Sequence, residues 1–191
     1  AYPVSNIRVS SGIPRLDRML GGGYYKGSSI LVSGSAGTGK TSIASAFANS
    51  ICAKGGKCLY CSFEESPEQI MRNMRSIGFD LAKWHKKGDL QFHTVRPTMY
   101  GLETHLVNLH RLVSEFKPDA VVLDPVSNLA AVGDTDQVRS MLTRLIDYLK
   151  SSGVTALFND LTSGDQTDEM TNLGISSLMD SWLLLCTVES N

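Results

Sequence analysis

The fold of this chain is decided by the stretch Gly34-Ser35-Ala36-Gly37-Thr38-Gly39-Lys40-Thr41, which matches G-x-x-x-x-G-K-[ST] completely. It stands between an apolar run at residues 29–33, typical of a buried strand, and an Ala-, Ile- and Phe-rich run at 41–53, typical of a helix. Glycines in such a turn let successive backbone N–H groups converge on phosphate oxygens, and the following helix adds the positive end of its dipole. We therefore expect residues 34–41, called the phosphate loop below, to bind the phosphates of a nucleotide.

Two residues of the loop and one acid farther along the chain are expected to hold ATP and Mg²⁺. Lys40 is placed to reach the β- and γ-phosphates and to take part in catalysis, and the Thr41 hydroxyl is placed to ligate the metal. Asp124 ends the apolar run at residues 120–123, so it is predicted to lie at the carboxyl edge of a sheet, where ligands bind in open α/β folds. We expect Thr41 and Asp124 to hold Mg²⁺, partly through water; the alternative for Asp124 is a turn aspartate before Pro125.

A water-activating base is expected from the acidic pair Glu64-Glu65, which follows the apolar run at residues 58–63. Adjacent residues on an extended chain face opposite ways, so one carboxylate can point at the γ-phosphate while its neighbour faces elsewhere. Glu64 is the predicted base and Glu65 the second candidate. The alternative role for Glu65 is to favour, through the helix dipole, the start of the helix that begins at Pro67.

The rest of the chain repeats the same alternation of strand and helix patterns. Strands are predicted at residues 58–63, 90–95, 120–123, 154–158 and 181–188, and helices at 67–77, 102–116 and 136–150, with Ser66 as the N-cap of the first. This alternation predicts an α/β fold, a mostly parallel sheet with helices on both faces. No repeat, low-complexity run or linker divides the sequence, so residues 1–191 are predicted to form one domain.

Composition and charge exclude several classes of protein. The chain has 191 residues, of which 42% are hydrophobic and 19% charged, so a sizeable core is available and disorder is disfavoured. Eighteen basic residues against nineteen acidic ones give a net charge of -1, which does not call for a nucleic-acid partner. No run approaches the roughly 20 apolar residues of a membrane helix, and no secretory signal is present. We therefore predict a soluble, cytoplasmic protein without a membrane partner.

Two other patterns are given structural interpretations. Cys58 and Cys61 have a C-x-x-C spacing, but positions i and i+3 of a strand face opposite sides, and no second cysteine pair exists to complete a metal site. Both are predicted to be reduced core thiols. His105 and His110 are five residues apart on a predicted helix, a spacing that does not aim them at one ion, and we expect them to be solvated or capping histidines.

Taken together, five stretches of the sequence resemble the RecA-like ATPases, specifically the KaiC circadian-clock family. They are residues 9–17 (VSSGIPRLD), the turn 20–23 (LGGG), the phosphate loop, residues 63–66 (FEES) and residues 121–124 (VVLD). The resemblance spans nearly the whole chain and implies a RecA-like fold around a P-loop. It also implies that the glutamates of the E-E-S segment, Glu64 and Glu65, serve ATP hydrolysis and phosphoryl transfer.

The resemblance extends to a pair of hydroxyl residues. In the family's second ATPase domain, adjacent hydroxyl residues in a T-x-x-x-I-S-T context accept phosphate from ATP held by the neighbouring protomer. Here Thr171 begins the corresponding stretch T-N-L-G-I-S-S, which implies that Ser176 and Ser177 are the phosphoacceptors of a serine/threonine autokinase. It further implies a homo-oligomeric ring, a hexamer at full length, with clock or signalling proteins as partners. Ordinary loop serines remain the alternative at these two positions.

The chain also departs from the family's pattern. KaiC proteins usually carry two such domains, whereas one is present here, and the sequence ends at Glu189-Ser190-Asn191, before the basic segment that family members insert into the next subunit's nucleotide site. We therefore expect a fragment of a longer protein. Loss of a cationic group supplied in trans can remove about 10³–10⁵ of the rate in phosphoryl-transfer enzymes, so this chain alone is expected to bind ATP and hydrolyse it poorly.

Two alternative functions come from other classes. A DNA-repair ATPase of the RecA/RadA kind needs basic loops with aromatic stacking residues, but residues 161–172 contain Asp165, Asp168 and Glu169 and no Lys or Arg. Nucleic acid is therefore not the expected partner. A non-catalytic scaffold that uses ATP to set its assembly is the second alternative, and turnover measurements distinguish it from an ATPase.

Overall fold

The structure is a computed structural model in which residues 5–162 and 174–187 are described. Strands and helices alternate along most of the chain. In chain order the elements are β1 (Arg8–Val9), α1 (Pro14–Met19), β2 (Tyr24–Tyr25), β3 (Ser29–Gly34), α2 (Lys40–Ala53), β4 (Cys58–Ser62), α3 (Pro67–Arg75), α4 (Leu81–Lys87), β5 (Leu90–Thr94), α5 (Leu102–Phe116), β6 (Ala120–Asp124), α6 (Thr135–Ser151), β7 (Thr155–Leu161) and β8 (Ser181–Leu185). Short 3₁₀ helices lie at Pro97–Met99, Val126–Ala131 and Ser176–Leu178.

Six of the strands form one sheet in the order β5-β4-β6-β7-β3-β8, and every neighbouring pair is parallel. The predicted parallel α/β sheet is therefore confirmed. Because the strands are parallel, the carboxyl ends of β3, β4, β6 and β7 meet at one edge of the sheet. That edge brings together segments of the chain that are far apart in sequence.

The two faces of the sheet are covered by different helices, as predicted. Side chains alternate along each strand, so Leu59 and Cys61 pack with α5 and α6, whereas Cys58 and Tyr60 pack with α2, α3 and α4 on the other face. The cysteines at positions i and i+3 are thus buried on opposite faces. Among the described residues, no cluster of three or more His, Cys, Asp or Glu side chains could hold a metal ion.

The start of α3 and the end of β8 can be compared with the predicted bounds. Ser66 is the N-cap of α3, where its hydroxyl accepts a hydrogen bond from the Gln69 N–H at 3.2 Å, as predicted. The last strand ends at Leu185, earlier than the predicted residue 188, which lies outside the described residues. Within residues 5–162 and 174–187, no helix is both long and apolar enough to cross a membrane.

Candidate functional site: a phosphate loop among carboxylates

The phosphate loop joins the carboxyl end of β3 to the first turn of α2. Gly37 and Gly39 adopt φ values of 77° and 92°, a left-handed conformation that favours glycine. No described atom beyond the adjoining residues comes within 4 Å of where a Cβ would stand on either glycine. The backbone of the loop therefore borders open space at a helix N-terminus, which is the geometry that a phosphate group needs.

Lys40 lies beneath this loop and is nearly buried. Its Nζ donates hydrogen bonds to the carbonyl oxygens of Gly34 at 2.9 Å and Ser35 at 2.6 Å. Thr38 closes the loop by donating its hydroxyl to the same Ser35 carbonyl at 2.8 Å. The ammonium group is thus fixed inside the turn whose backbone N–H groups surround the expected phosphate position.

Thr41 and Asp124 meet although they are 83 residues apart in sequence. The Thr41 hydroxyl donates to Asp124 Oδ2 at 3.0 Å, and the Tyr60 hydroxyl donates to the same oxygen at 2.6 Å. Burial and the Asp124 charge raise the pKa of Tyr60 well above its usual value, so the phenol is a neutral donor. The structure thus brings the two predicted metal ligands together and adds Tyr60, which the sequence reasoning missed.

Asp160 is a further carboxylate that the sequence reasoning missed. It lies near the end of β7, it is fully buried, and neither carboxylate oxygen has a hydrogen-bond partner among the described residues. Burial raises the pKa of Asp160 to about 6, against the opposing influence of the Lys40 charge. The preceding residue, Asn159, is likewise fully buried with its amide unpaired in the described part of the chain. A polar pair directly after the apolar run at residues 156–158 was the available signal.

The predicted bases lie where β4 ends, beside β6. The Phe63 N–H donates to the Asp124 carbonyl at 2.9 Å, and Ser62 Oγ donates to the Glu65 carbonyl at 2.7 Å, so the segment is tied to the strand that carries Asp124. Glu64 is exposed, whereas Glu65 is half-buried. Burial, and secondarily the charges of Asp124 and Glu64, raise the pKa of Glu65.

Several charges therefore converge on one lysine. Burial lowers the pKa of Lys40, and the nearby carboxylates of Asp124, Asp160 and Glu64 oppose that shift. One ammonium among three carboxyl groups leaves the site poorly suited to a bare polyphosphate anion. A nucleotide accompanied by a divalent cation fits this balance better.

The two predicted phosphoacceptors lie on a different part of the molecule. Ser176 and Ser177 form the 3₁₀ helix Ser176–Leu178, next to α6, and Ser177 is exposed. Ser177 Oγ accepts a hydrogen bond from Arg139 Nη2 at 3.0 Å. Thr171, which begins the stretch that contains them, lies outside the described residues.

The expectation of solvated or capping histidines is wrong for His105. Its ring is buried in α5 with Nε2 2.7 Å from the Pro97 carbonyl oxygen, and it packs edge-on against Phe63. The side chain is therefore part of the interior instead of facing solvent. His110 is half-buried and stacks on Tyr148, with the ring centroids 3.9 Å apart.

Comparison with known proteins identifies the family. The family described as "ATPase: KaiC" matches residues 9–189. Circadian clock protein KaiC2 of Synechocystis sp. is 51% identical over the whole chain, which covers 34% of that protein. Circadian clock protein KaiC3 of the same organism is 37% identical over 97% of the chain, covering 37% of the relative.

The similarity is broad within the family but partial in length. Circadian clock oscillator protein KaiC of Parathermosynechococcus lividus is 37% identical over 97% of the chain, which covers 34% of that protein. The chain thus spans about a third of the length of these curated relatives. Family match, parallel sheet and phosphate loop agree on an α/β RecA-like P-loop ATPase fold. The chain belongs to the KaiC ATPase family.

Proposed function

We propose that this chain binds and hydrolyses ATP with Mg²⁺ and transfers the γ-phosphoryl group to Ser176 or Ser177 of a neighbouring copy in a homo-oligomeric ring, a hexamer at full length. The observation that carries the proposal is the convergence of Lys40, the Thr41–Asp124 pair and the Glu64-Glu65 segment at one edge of the sheet. Family membership supports the ATPase part of this proposal.

The donor set fits Mg²⁺. A hydroxyl oxygen and a carboxylate oxygen already 3.0 Å apart, Thr41 Oγ1 and Asp124 Oδ2, are the hard oxygen ligands that this ion prefers, with water completing its shell. The Tyr60 hydroxyl orients the Asp124 carboxylate by donating a hydrogen bond to the same oxygen. When bound, the ion would neutralise charge that develops on the phosphate oxygens.

The protein groups around the phosphates have separate tasks. Lys40 and the N–H groups at the start of α2 bind the β- and γ-phosphates and stabilise negative charge there. Glu64 accepts the proton of the attacking water as the water oxygen bonds to the γ-phosphorus and the bond to ADP breaks. Its exposed position leaves the carboxylate accessible to a water molecule or to a hydroxyl group from another chain.

Phosphoryl transfer to serine follows the same bond changes with a different nucleophile. The serine Oγ bonds to the γ-phosphorus, the bond to the β-phosphate oxygen breaks, ADP leaves, and Glu64 takes the hydroxyl proton. Reacting atoms must approach to about 3–3.5 Å for this step. Glu65, whose pKa is raised by burial and by the charges of Asp124 and Glu64, is the second candidate for the base.

The position of Ser177 supports transfer between copies. Asp180, three residues later, exchanges hydrogen bonds with Ser29, at the amino end of the strand whose carboxyl end carries the phosphate loop. The five residue steps from Ser29 to Gly34 span about 17 Å, whereas three extended residues span at most about 11 Å. Ser177 is thus set back from its own chain's phosphate loop along the strand direction, which favours a second copy as the source of the nucleotide.

The proposal extends to partners and to location. Three of the relatives are named as circadian clock proteins, and we take clock or signalling proteins as the partners of this chain, in the cytoplasm. Nucleic acid is not a proposed partner, because the net charge is -1.

Turnover and mass spectrometry test the proposal together. Lys40→Ala is expected to abolish ATP binding in isothermal titration. Glu64→Gln is expected to keep binding and to lower ATP turnover about 10²–10⁴-fold, because an amide preserves shape but cannot accept a proton. Glu68→Gln, an exposed acid in the first turn of α3, is the matched control and retains turnover.

The outcomes separate the parts of the proposal. Wild-type turnover in the Glu64→Gln/Glu65→Gln double variant would show that the base lies elsewhere. ATP binding without any turnover in the full-length protein would favour a nucleotide-gated scaffold. If tandem mass spectrometry finds no phosphate on Ser176 or Ser177 after incubation with ATP·Mg²⁺ while ATPase activity is present, the kinase part is wrong.

A further inference from the structure

One arginine of α6 holds the segment that contains the candidate phosphoacceptors. Arg139 Nη2 donates to Ser177 Oγ at 3.0 Å, and Arg139 Nη1 lies 3.8 Å from where a Cβ would stand on Gly174. The guanidinium group therefore spans residues 174–177. Arg139 and Ser177 are both exposed, so a group added to the serine would not have to enter the core.

Both residues of the Arg139–Ser177 contact lie next to residues that are packed in the core. Ile175 is fully buried, and Leu178 and Met179 pack against the same core cluster. On the helix, Val138 is fully buried directly before Arg139. Arg139 and Ser177 therefore face each other on anchored backbone, and their approach costs less ordering than a contact between two free loops.

The positive charge of Arg139 is not neutralised by the group that it contacts. Other basic residues of α6 are paired with carboxylates: Arg144 with Glu103 at 2.6 Å and Lys150 with Asp180 at 2.9 Å. Arg139 forms no ion pair with any residue of 5–162 or 174–187, and its contact here is a neutral hydroxyl. A guanidinium with five donors is better matched by a phosphate, which accepts paired hydrogen bonds.

We infer that Arg139 is an intrachain binding residue for a phosphate carried by Ser177. Phosphorylation replaces the hydroxyl hydrogen with a PO₃ group that carries roughly -1.5 to -2 charges at neutral pH and three strong acceptor oxygens. Arg139 then donates charge-assisted hydrogen bonds to that group and fastens residues 174–177 to α6. The inference rests on the proposed function only for the source of the phosphate.

The two neighbouring serines are then not equivalent. Ser176 is half-buried and its hydroxyl receives no hydrogen bond from Arg139, so a phosphate there has no such partner in the described structure. A phosphate on Ser177 is held by its own chain, whereas one on Ser176 is left for solvent or for another copy.

Placing phosphoserine by recoded translation at position 177, or at position 176, tests this without any kinase activity. Phosphorus NMR titration of the full chain measures the second pKa of the phosphate. We expect this pKa to be lower at position 177 than at position 176. The difference corresponds to about two- to five-fold weaker proton binding, the size of effect expected of an exposed ion pair. Arg139→Gln is expected to remove the difference, Arg139→Lys to keep part of it, and Arg144→Gln to leave it unchanged.

Hydrogen exchange gives a second measurement on the same samples. Phosphoserine at 177 is expected to slow amide exchange of residues 174–178 in the chain with Arg139 and not in Arg139→Gln. Equal phosphate pKa values at the two positions, or a difference that persists in Arg139→Gln, would overturn the inference. Failure of the protein to phosphorylate itself would refute the kinase proposal alone, because these phosphates are introduced during translation.

Discussion

Tyr60 matters at the scale of single residues because it shares an acceptor atom with Thr41. Both hydroxyls donate to Asp124 Oδ2, and Tyr60 does so from a fully buried position. Tyr60→Phe removes one of the two bonds that orient the carboxylate. We expect Mg²⁺-dependent ATP affinity to fall about tenfold, as for other outer ligands of metal sites, in isothermal titration with and without the ion.

Tyr24→Phe is the matched control for that variant. Tyr24 is also buried on the same side of the sheet, and its hydroxyl has no hydrogen-bond partner among the described residues. Its removal is expected to leave ATP affinity unchanged. An equal loss in both variants would mean that the effect comes from packing, and no loss in Tyr60→Phe would remove the tyrosine from the site.

The raised pKa of Asp160 predicts that the stability of the folded protein depends on pH. Its pKa rises from 3.8 to about 6 in the folded protein, so between these pH values the folded state binds a proton that the unfolded state has lost. Stability therefore falls as pH rises from about 4 to 6 and stays lower above, by about 3 kcal/mol at most for a shift of this size. Because Asn is neutral at every pH, Asp160→Asn is expected to escape this penalty.

Thermal unfolding of the nucleotide-free protein at two pH values measures the effect. At pH 7.5 Asp160→Asn is expected to melt several degrees above the wild type, because about 1 kcal/mol corresponds to about 2–4 °C in a chain of this size. At pH 3 the difference is expected to vanish almost entirely, since Asp160 is then largely neutral in the folded and in the unfolded state. A constant difference at both pH values would contradict the assignment of the effect to ionisation.

The site residues that the sequence predicted share one property, which Asp160 and Tyr60 lack. The phosphate loop is a contiguous motif, and Asp124 directly ends an apolar run, so each is visible in a local window. Asp160 is separated from its apolar run by Asn159, and Tyr60 lies within a strand. The strand order brings them to the site: β4 lies beside β6, which places Tyr60 at Asp124, and β7 lies between β6 and β3, which places Asp160 near Lys40.

At the scale of elements, length and periodicity separate the predicted helices from the missed ones. In α5 the apolar residues Leu106, Leu109 and Val113 recur at helical spacing over 15 residues, and the predicted bounds Leu102–Phe116 are those observed. In α4 only Leu81 is buried among seven residues, so no stripe is visible. Short helices of this kind are stabilised by tertiary contacts that sequence periodicity does not record.

Strand β8 links the phosphate loop with the segment that contains the candidate phosphoacceptors. It pairs with β3, and the Trp182 indole N–H donates to Ser33 Oγ at 2.6 Å, one residue before the phosphate loop. At its other end Asp180 is bonded to Ser29 and Lys150. The segment with Ser176 and Ser177 is therefore attached through one strand to the strand that carries the phosphate loop.

At the scale of the whole molecule, the proposed transfer between copies depends on assembly. The carboxyl edge holds the groups that would bind ATP, and the candidate acceptor Ser177 lies toward the amino end of β8. A nucleotide placed between copies favours assembly, because it binds the associated state better than the separate chains. At 100 times its dissociation constant, such a ligand stabilises each site by about 2.7 kcal/mol, or about 100-fold in association.

Analytical ultracentrifugation of the full-length protein with and without ATP·Mg²⁺ measures this coupling. We expect the sedimentation coefficient to rise with nucleotide toward that of a closed ring, since each copy supplies one edge to a neighbour and receives another. Lys40→Ala is the control, because it keeps the surface of the fold while losing the nucleotide, and it is expected to sediment alike under both conditions. A wild-type protein that binds ATP yet remains a monomer would contradict assembly through the nucleotide site, and transfer between copies would then have no structural basis.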